Sequence, residues 1–367
     1  MRQSDRLSYP FGSKSQAPMI SHILYLVKIS QYIKLNYYEW IFFSTFLVSF
    51  ADSTLINGAG ATFPYPIYSK WFDEYNKINP SVMFNYQSIG SGGGIKQITA
   101  KTVDFGASDG PMTMDQMTAA PGRIYHIPTV MGAVVVAYNL DGVAKGLKLS
   151  GDVLADIYLG KITQWNDARI TEQNAGVTLP ASSITVVHRS DGSGTSYIFT
   201  DYLSKVSGEW NNKVGKSTSV NWPIGLGGKG NEGVAGLIKQ SPGSIGYVEL
   251  AYAKENSLPY AFMKNQSGNY IEPTLESTSK AADGATIPAD FRASVVNSPN
   301  PEAYPIASFT WLLIYKQMDD PVKGKAIVDF IKWAITDGQK YAQDLDYAPL
   351  PANVVEMIQK KLDQVKY

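Results

Sequence analysis

The sequence predicts an α/β protein of two domains, and three observations carry that expectation. From residue 55 onward, apolar segments of strand character alternate with amphipathic helical segments, the pattern of a sheet covered by helices. The chain has 367 residues, more than one hydrophobic core usually serves even after a targeting segment is removed. Hydrophobic residues make up 44% and charged residues 17%, with 32 glycines and 20 prolines spread along the chain, so the composition is that of an ordered globular protein.

The first 51 residues stand apart. Lys28 and Lys34 precede the apolar run Trp40 to Ala51, which closes on the small-x-small triplet Ser49-Phe50-Ala51. That is the pattern of a secretory signal cleaved near Ala51, and the run is short for a bilayer span. Glu39 at its front edge is atypical, residues 1–27 exceed what a signal needs, and Met19 offers an alternative start. The other reading is a misplaced start followed by a buried apolar segment. Removing residues 1–51 leaves 27 basic and 30 acidic residues. A protein so nearly neutral has no global field for drawing in nucleic acid or small anions, so any anion site is built locally.

The elements follow in order. Leu55 to Phe63 reads as a short strand running into a glycine turn; Pro64 and Pro66 open a helix with Ile67, Trp71, Tyr75 and Ile78 on one face, stopped at Asn79-Pro80. Val82 to Tyr86 is a strand, Gly90-Ser91-Gly92-Gly93-Gly94 a turn, and Ile95 and Ile98 mark a short helix. Val103 to Asp109 is a strand ending on a carboxylate, and the apolar run Ile127 to Asn139 suits a buried strand or a crossover. Ile184 to Arg189 is a strand, Ser190 to Gly194 a turn, and a helix runs from Thr195 with Ile198, Phe199, Tyr202, Leu203 and Val206 inward. Phe309 to Tyr315 is a strand, Pro321 starts a helix with Gly338 as its stop, and Pro351 to Val365 is a closing helix.

Three strand-loop-helix junctions share one chemistry: Thr62-Phe63 before Pro64, Ser91 before its glycines, and Ser193-Gly194-Thr195. A helix N-terminus leaves backbone N–H groups unpaired and carries partial positive charge, so it holds an oxyanion without a lysine. Hydroxyls add donors and glycine permits close approach. Taken singly, each junction is ordinary helix capping; together they suit loops gathered at the carboxyl ends of strands. Arg189, just before the third junction, either forks onto two anion oxygens or pairs with Asp191. Asp109 is either a turn residue ahead of Gly110-Pro111 or an acceptor. As an acceptor it repels an anion unless the ligand carries a proton, as hydrogen phosphate does and sulfate at neutral pH does not.

Other chemistries find little support. The chain has no cysteine, which excludes disulfides, thiolate metal sites, a cysteine nucleophile and a lipidated N-terminal cysteine. Its three histidines, His22, His126 and His188, are scattered, so a His-rich metal site is not expected. Gly90 to Lys96 lacks both the spacing of a nucleotide phosphate loop and the hydroxyl after its lysine, and no G-x-S-x-G elbow occurs. His188 faces away from Arg189 on its strand and reads as a packed or surface histidine.

At these residues the sequence resembles the phosphate-binding proteins of bacterial high-affinity phosphate ABC transporters. The resemblance is carried by Gly58 to Pro64, Gly90 to Gly93, Val103 to Asp109, Arg189 to Ser196, Trp222 to Gly230, Gly246 to Glu249 and Asp344 to Ala348. It runs from about Leu55 to the C-terminus and is weakest from Asn265 to Pro305. It implies a two-lobed periplasmic binding protein of type 2 topology, with a ligand cleft between lobes joined by a hinge. Residues 52–128 with 308–367 would form one lobe and 129–307 the other. The implied phosphate ligands are Thr62 and Phe63 through N–H groups and a hydroxyl, Ser91 through N–H and hydroxyl, Asp109 accepting the phosphate proton, Arg189 on phosphate oxygens, and Ser193, Gly194 and Thr195 as further donors. Asp191 would orient Arg189.

The same resemblance implies a monomeric periplasmic carrier of inorganic phosphate. It would need no cofactor or metal, would not be an enzyme and would not bind nucleic acid, and it would deliver its ligand to transmembrane permease subunits with their ATPase. Two rivals remain at this level. One is a carrier for sulfate or molybdate, which Asp109 disfavours. The other is a secreted phosphatase using Ser91 or Ser193 as nucleophile, which the lack of an accompanying base or metal cluster disfavours.

Overall fold

The computed structural model describes residues 53–367. The expected signal segment and its cleavage near Ala51 lie outside the described residues. One eight-stranded sheet in the order β2-β1-β3-β11-β4-β8-β6-β7 organises the chain. Its strands are β1 (Thr54–Gly60), β2 (Val82–Ser88), β3 (Phe105–Ser108), β4 (Ile124–Tyr138), β6 (Thr185–Arg189), β7 (Leu226–Gly228), β8 (Ser244–Glu249) and β11 (Ala307–Tyr315). A three-stranded sheet, β10-β9-β5, is made of β5 (Lys148–Leu149), β9 (Phe262–Lys264) and β10 (Tyr270–Ile271).

Parallel pairs join β1 to β2 and β3, and β6 to β7 and β8, each linked through a helix. Parallel strands linked through helices place loops at the carboxyl ends of the strands. The helices that matter for the site are α1 (Tyr65–Ile78) after β1, α2 (Ser91–Thr99) after β2, α3 (Gly194–Val206) after β6, and α4 (Gly230–Gln240) after β7. Two more, α5 (Pro321–Ala334) and α6 (Ala352–Leu362), close the C-terminal part.

β4 joins the two halves of the sheet. Residues Ile124 to Ala133 pair with β11, and Val134 to Tyr138 pair with β8. All 15 of its residues are buried, which explains the unbroken apolar run in the sequence: a strand covered on both faces shows no alternation. The choice between strand and crossover is thus resolved as both, one strand that passes from one half to the other. It also begins three residues earlier than the run Ile127 to Asn139 suggests.

Each half has its own aromatic core. In the first, Phe84 stacks on Phe72 of α1 at 4.8 Å and contacts Phe330 of α5 at 4.5 Å. In the second, Phe199 of α3 stacks on Tyr247 at 4.2 Å, with Tyr158, Trp210 and Trp222 around them. Such pairs add about 0.5–1.5 kcal/mol each beyond the area they bury.

Several boundaries differ from expectation: α2 begins at Ser91, so Gly92 to Gly94 lie in the helix rather than in a turn, and α6 spans Ala352–Leu362 rather than Pro351 to Val365. α5 stops at Ala334 rather than at Gly338, because the chain tightens into a short 3-10 stretch, Asp337–Tyr341, in which Gly338 receives the Trp71 indole N–H on its carbonyl at 2.7 Å. α3 starts at Gly194, one residue before the expected Thr195, because Ser193 is its cap. Among the described residues no helix is long and apolar enough to cross a membrane.

Candidate functional site

Thr62 and Phe63 form the turn between β1 and α1, and their carbonyls are tied back. Tyr65 N–H and Tyr252 Oη donate to Thr62 O at 3.1 and 2.6 Å, and Tyr347 Oη donates to Phe63 O at 2.6 Å. A trans peptide points its N–H opposite its carbonyl, so holding Thr62 O fixes the direction of the Phe63 N–H. That N–H has no acceptor among the described residues.

The other two junctions are helix N-termini. Gly90, at φ +83°, turns the chain so that Ser91 opens α2, a conformation that favours glycine. Ser193 caps α3, its Oγ accepting the Ser196 N–H at 3.0 Å, while its own N–H is used on Thr218 O at 2.7 Å. The N–H groups of Ser91, Gly194 and Thr195 have no acceptor among the described residues, as expected in a first helical turn.

These junctions meet. Gly92 N–H donates to Gly192 O at 2.8 Å. A Cβ placed on Gly194 would fall 2.5 Å from both Asp109 Oδ2 and Ser91 Oγ, so only glycine lets α3 approach that carboxylate. Asn231, second residue of α4, donates its side-chain N–H to Thr62 Oγ1 at 2.7 Å and to Thr195 Oγ1 at 3.2 Å. Thr62, Phe63, Ser91, Asp109, Arg189, Ser193, Gly194 and Thr195 are all buried, and all eight fall within this one constellation or its capping turn.

Arg189 ends β6 with its guanidinium forked onto Asp191, Nε to Oδ1 at 2.7 Å and Nη2 to Oδ2 at 2.6 Å. Nη1 reaches Thr195 Oγ1 at 3.4 Å. Burial alone would raise the Asp191 carboxyl, but the hydrogen bonds and charge of Arg189, with the Gly230 N–H, hold it below the usual range. Of the two sequence alternatives for Arg189, the pair with Asp191 is the one formed: it engages Nε and Nη2, while Nη1 faces the hydroxyl loop.

Asp109 is 1% exposed. Its Oδ1 accepts from Thr310 Oγ1 at 2.8 Å and its backbone N–H donates to Ser91 Oγ at 3.2 Å. Its Oδ2 is buried with no partner among the described residues. Burial pushes the carboxyl up to about 7, against the lowering effects of Thr310, Arg189 and Ser91. An unsatisfied buried oxygen costs about 1–3 kcal/mol, so this one is poised for a donor.

The hydroxyls around it are polarised in one sense. Ser91 Oγ accepts from Asp109 N–H, Ser193 Oγ from Ser196 N–H, and Thr62 and Thr195 Oγ1 from Asn231. Each of these oxygens accepts at least one N–H, and its own O–H can serve as a donor toward the site. The constellation thus offers backbone N–H groups, hydroxyl donors, one guanidinium edge and one open acceptor. Among the described residues no group of three or more His, Asp or Glu side chains is placed to hold a metal.

Asn231, Thr310, Tyr252 and Tyr347 were not legible as site residues. Asn231 sits just past the glycine-rich stretch ending at Gly230, where an asparagine looks like another turn residue. Thr310 lies inside an apolar strand, and the two tyrosines are indistinguishable in sequence from packing aromatics.

Comparison with known proteins adds an independent line. The family model described as a PBP superfamily domain matches residues 48–338. The chain is 49% identical over 310 residues to the phosphate-binding protein PstS of Xylella fastidiosa, covering 84% of each chain. To PstS of Pasteurella multocida it is 48% identical over 322 residues, covering 87% of this chain and 92% of the relative. Among solved structures, the phosphate binding protein of Stenotrophomonas maltophilia superposes with a TM-score of 0.66 at 20% identity, covering 84% of this chain and 94% of the other. That last likeness concerns the fold.

Proposed function

The chain belongs to the PBP superfamily, among the phosphate-binding PstS proteins, and from that premise we propose that it binds one inorganic phosphate between Thr62, Phe63, Ser91, Asp109, Arg189, Ser193, Gly194 and Thr195. It is a substrate-binding protein of phosphate ABC transport, a binding family and not an enzyme family. The observation that carries the ligand assignment is Asp109 Oδ2, a buried, unpartnered acceptor among groups that donate. A tetrahedral oxyanion with one proton fits that set: its bare oxygens take the N–H, hydroxyl and guanidinium donors, and its proton goes to Asp109. Sulfate at neutral pH has no proton to give, so it would either set a bare oxygen against the carboxylate or require Asp109 to take up a proton, and in both cases it lacks the charge-assisted hydrogen bond, worth about 1.5–3 kcal/mol, that phosphate makes.

Residues 52–128 with 308–367 form one lobe in this reading and 129–307 the other. The change of partner along β4 at Ala133/Val134 and the return of the chain into β11 at Ala307 favour a division close to these bounds. Phosphate binds between them as a monomer's ligand, after export directed by residues 1–51 to the periplasm. From there the loaded protein delivers it to the transmembrane permease subunits and their ATPase, with no cofactor or nucleic acid involved. Equilibrium dialysis against inorganic phosphate tests the binding step: one equivalent held per chain, displaced by arsenate, is the expected result, and no retention at micromolar phosphate would overturn it.

A further inference from the structure

We infer that Asn231 is a positioning residue for anion capture, one that forces the hydroxyls of Thr62 and Thr195 to act as donors toward the ligand. The inference rests on the phosphate-binding reading above and concerns a residue that would not itself touch phosphate.

A threonine hydroxyl carries one proton and two lone pairs, and unconstrained it rotates to donate or accept as its surroundings dictate. Against a bare anion oxygen, only the donor orientation is favourable. Thr62 Oγ1 accepts from the backbone N–H of Asn231 at 3.2 Å and from its Nδ2 at 2.7 Å. Thr195 Oγ1 accepts from the same Nδ2 at 3.2 Å and from Arg189 Nη1 at 3.4 Å. Two donors on each oxygen engage both lone pairs, and the remaining O–H is left to point elsewhere.

The amide itself is oriented. Its Oδ1 accepts the Glu249 N–H at 3.0 Å at the end of β8, so Nδ2 must be the edge that faces the two threonines. A flipped amide would lose that bond and set its oxygen against two hydroxyl oxygens, turning both protons inward and away from the ligand. Asn231 is completely buried, so water does not compete for these bonds. The residue also joins loops from both halves of the sheet, since Thr62 follows β1 and Thr195 follows β6.

The chemistry requires an amide. Aspartate would accept the hydroxyl protons instead of supplying donors, and alanine would leave each hydroxyl with one donor, the residue-231 backbone N–H on Thr62 and Arg189 Nη1 on Thr195, and one lone pair open. Mere support of the fold predicts a loss independent of the threonine hydroxyls; positioning predicts a loss that disappears when they are absent. Thr195 lies in the same half as Asn231, so coupling with it does not arise from bridging the two halves.

The test is a pair of double-mutant cycles read as phosphate affinity by calorimetry on the full folded chain: Asn231→Ala with Thr195→Val, and Asn231→Ala with Thr62→Val. Each single substitution is expected to weaken phosphate binding about tenfold to a hundredfold, and each double to be within about threefold of its weaker-binding single. Losses that multiply across both cycles, or an unchanged affinity in Asn231→Ala, would overturn the inference. If Asn231→Ala does not fold, judged by its thermal transition, Asn231→Ser takes its place with the same expectations. Failure of the wild-type chain to bind phosphate at all would instead overturn the ligand assignment, and the two failures are thereby separate.

Discussion

Thr310 Oγ1 donates to Asp109 Oδ1 at 2.8 Å, and the second oxygen of the same carboxylate is left buried without a partner. A strand residue thus fixes one edge of the carboxyl so that the other faces the hydroxyl loops. The predictions follow from that asymmetry and from the loops that meet it.

Asp109→Asn replaces the open acceptor by an amide that can turn an N–H toward the ligand. Discrimination between phosphate and sulfate is expected to shrink by about a hundredfold, on the order of 3 kcal/mol. Competition titrations of the two anions against each protein read the change, and an unaltered ratio removes Asp109 from the selectivity mechanism.

The same carboxyl makes stability pH-dependent. In the folded protein it stands at about 7, against about 3.9 in an unfolded chain. Between those values the unfolded state binds fewer protons, so this contribution is fully present below about pH 4 and is lost as pH rises through about 7. Its full size is on the order of 4 kcal/mol. Glu249 is also pushed upward by burial, so the Asp109 share is isolated by comparing wild type with Asp109→Asn. Thermal unfolding without phosphate is expected to show the variant gaining on wild type between pH 4 and pH 8, and saturating phosphate to reduce that gain.

Gly194→Ala separates folding from binding. The first turn of a helix accepts alanine, which has the higher helix propensity by about 0.8–1.0 kcal/mol, but the new Cβ falls 2.5 Å from Asp109 Oδ2 and Ser91 Oγ and 2.6 Å from Asp109 Cβ. Phosphate affinity is expected to fall by about a hundredfold or more while the unfolding midpoint changes by only a few degrees. Retained affinity would mean that α3 does not come so close to the carboxylate when ligand binds.

Arg189→Lys keeps the charge and loses the fork. The guanidinium holds both oxygens of Asp191 while Nη1 faces Thr195, a geometry that one ammonium group does not reproduce. Phosphate binding is expected to weaken about tenfold or more, with a loss of stability of about 1–3 kcal/mol from the partly satisfied buried pair. Calorimetry and denaturant unfolding measure the two effects.

Most of the architecture was legible because the physics that sets it is local. The prolines opening α1 and α5, the 3.6-residue spacing of Ile67, Trp71 and Tyr75, and the glycine turn at Gly90 each specify their element without help from the rest of the chain. The end of α5 was not legible, since it depends on a tertiary hydrogen bond from Trp71 to Gly338, 267 residues away. β4 was ambiguous because burial on both faces erases the alternation that identifies a strand.

The same division holds at the site. Thr62 stands in the turn before α1, Ser91 opens α2 and Ser193 caps α3, places where sequence position alone implies free N–H groups in the helical turn that follows. Thr310 and Asn231 act through partners 201 and 169 residues distant, and no local pattern announces them. Asp109 was visible as a strand-end carboxylate, but its unpartnered oxygen is a property of the packed structure.

The most direct test of the account is a calorimetric titration of phosphate-free protein with phosphate and sulfate at pH 7.5, run side by side on wild type and Asp109→Asn. The account predicts tight one-to-one binding of phosphate, no measurable heat with sulfate for wild type, and sulfate binding gained in the variant. Wild-type protein that prefers sulfate, or that binds neither anion, would contradict it.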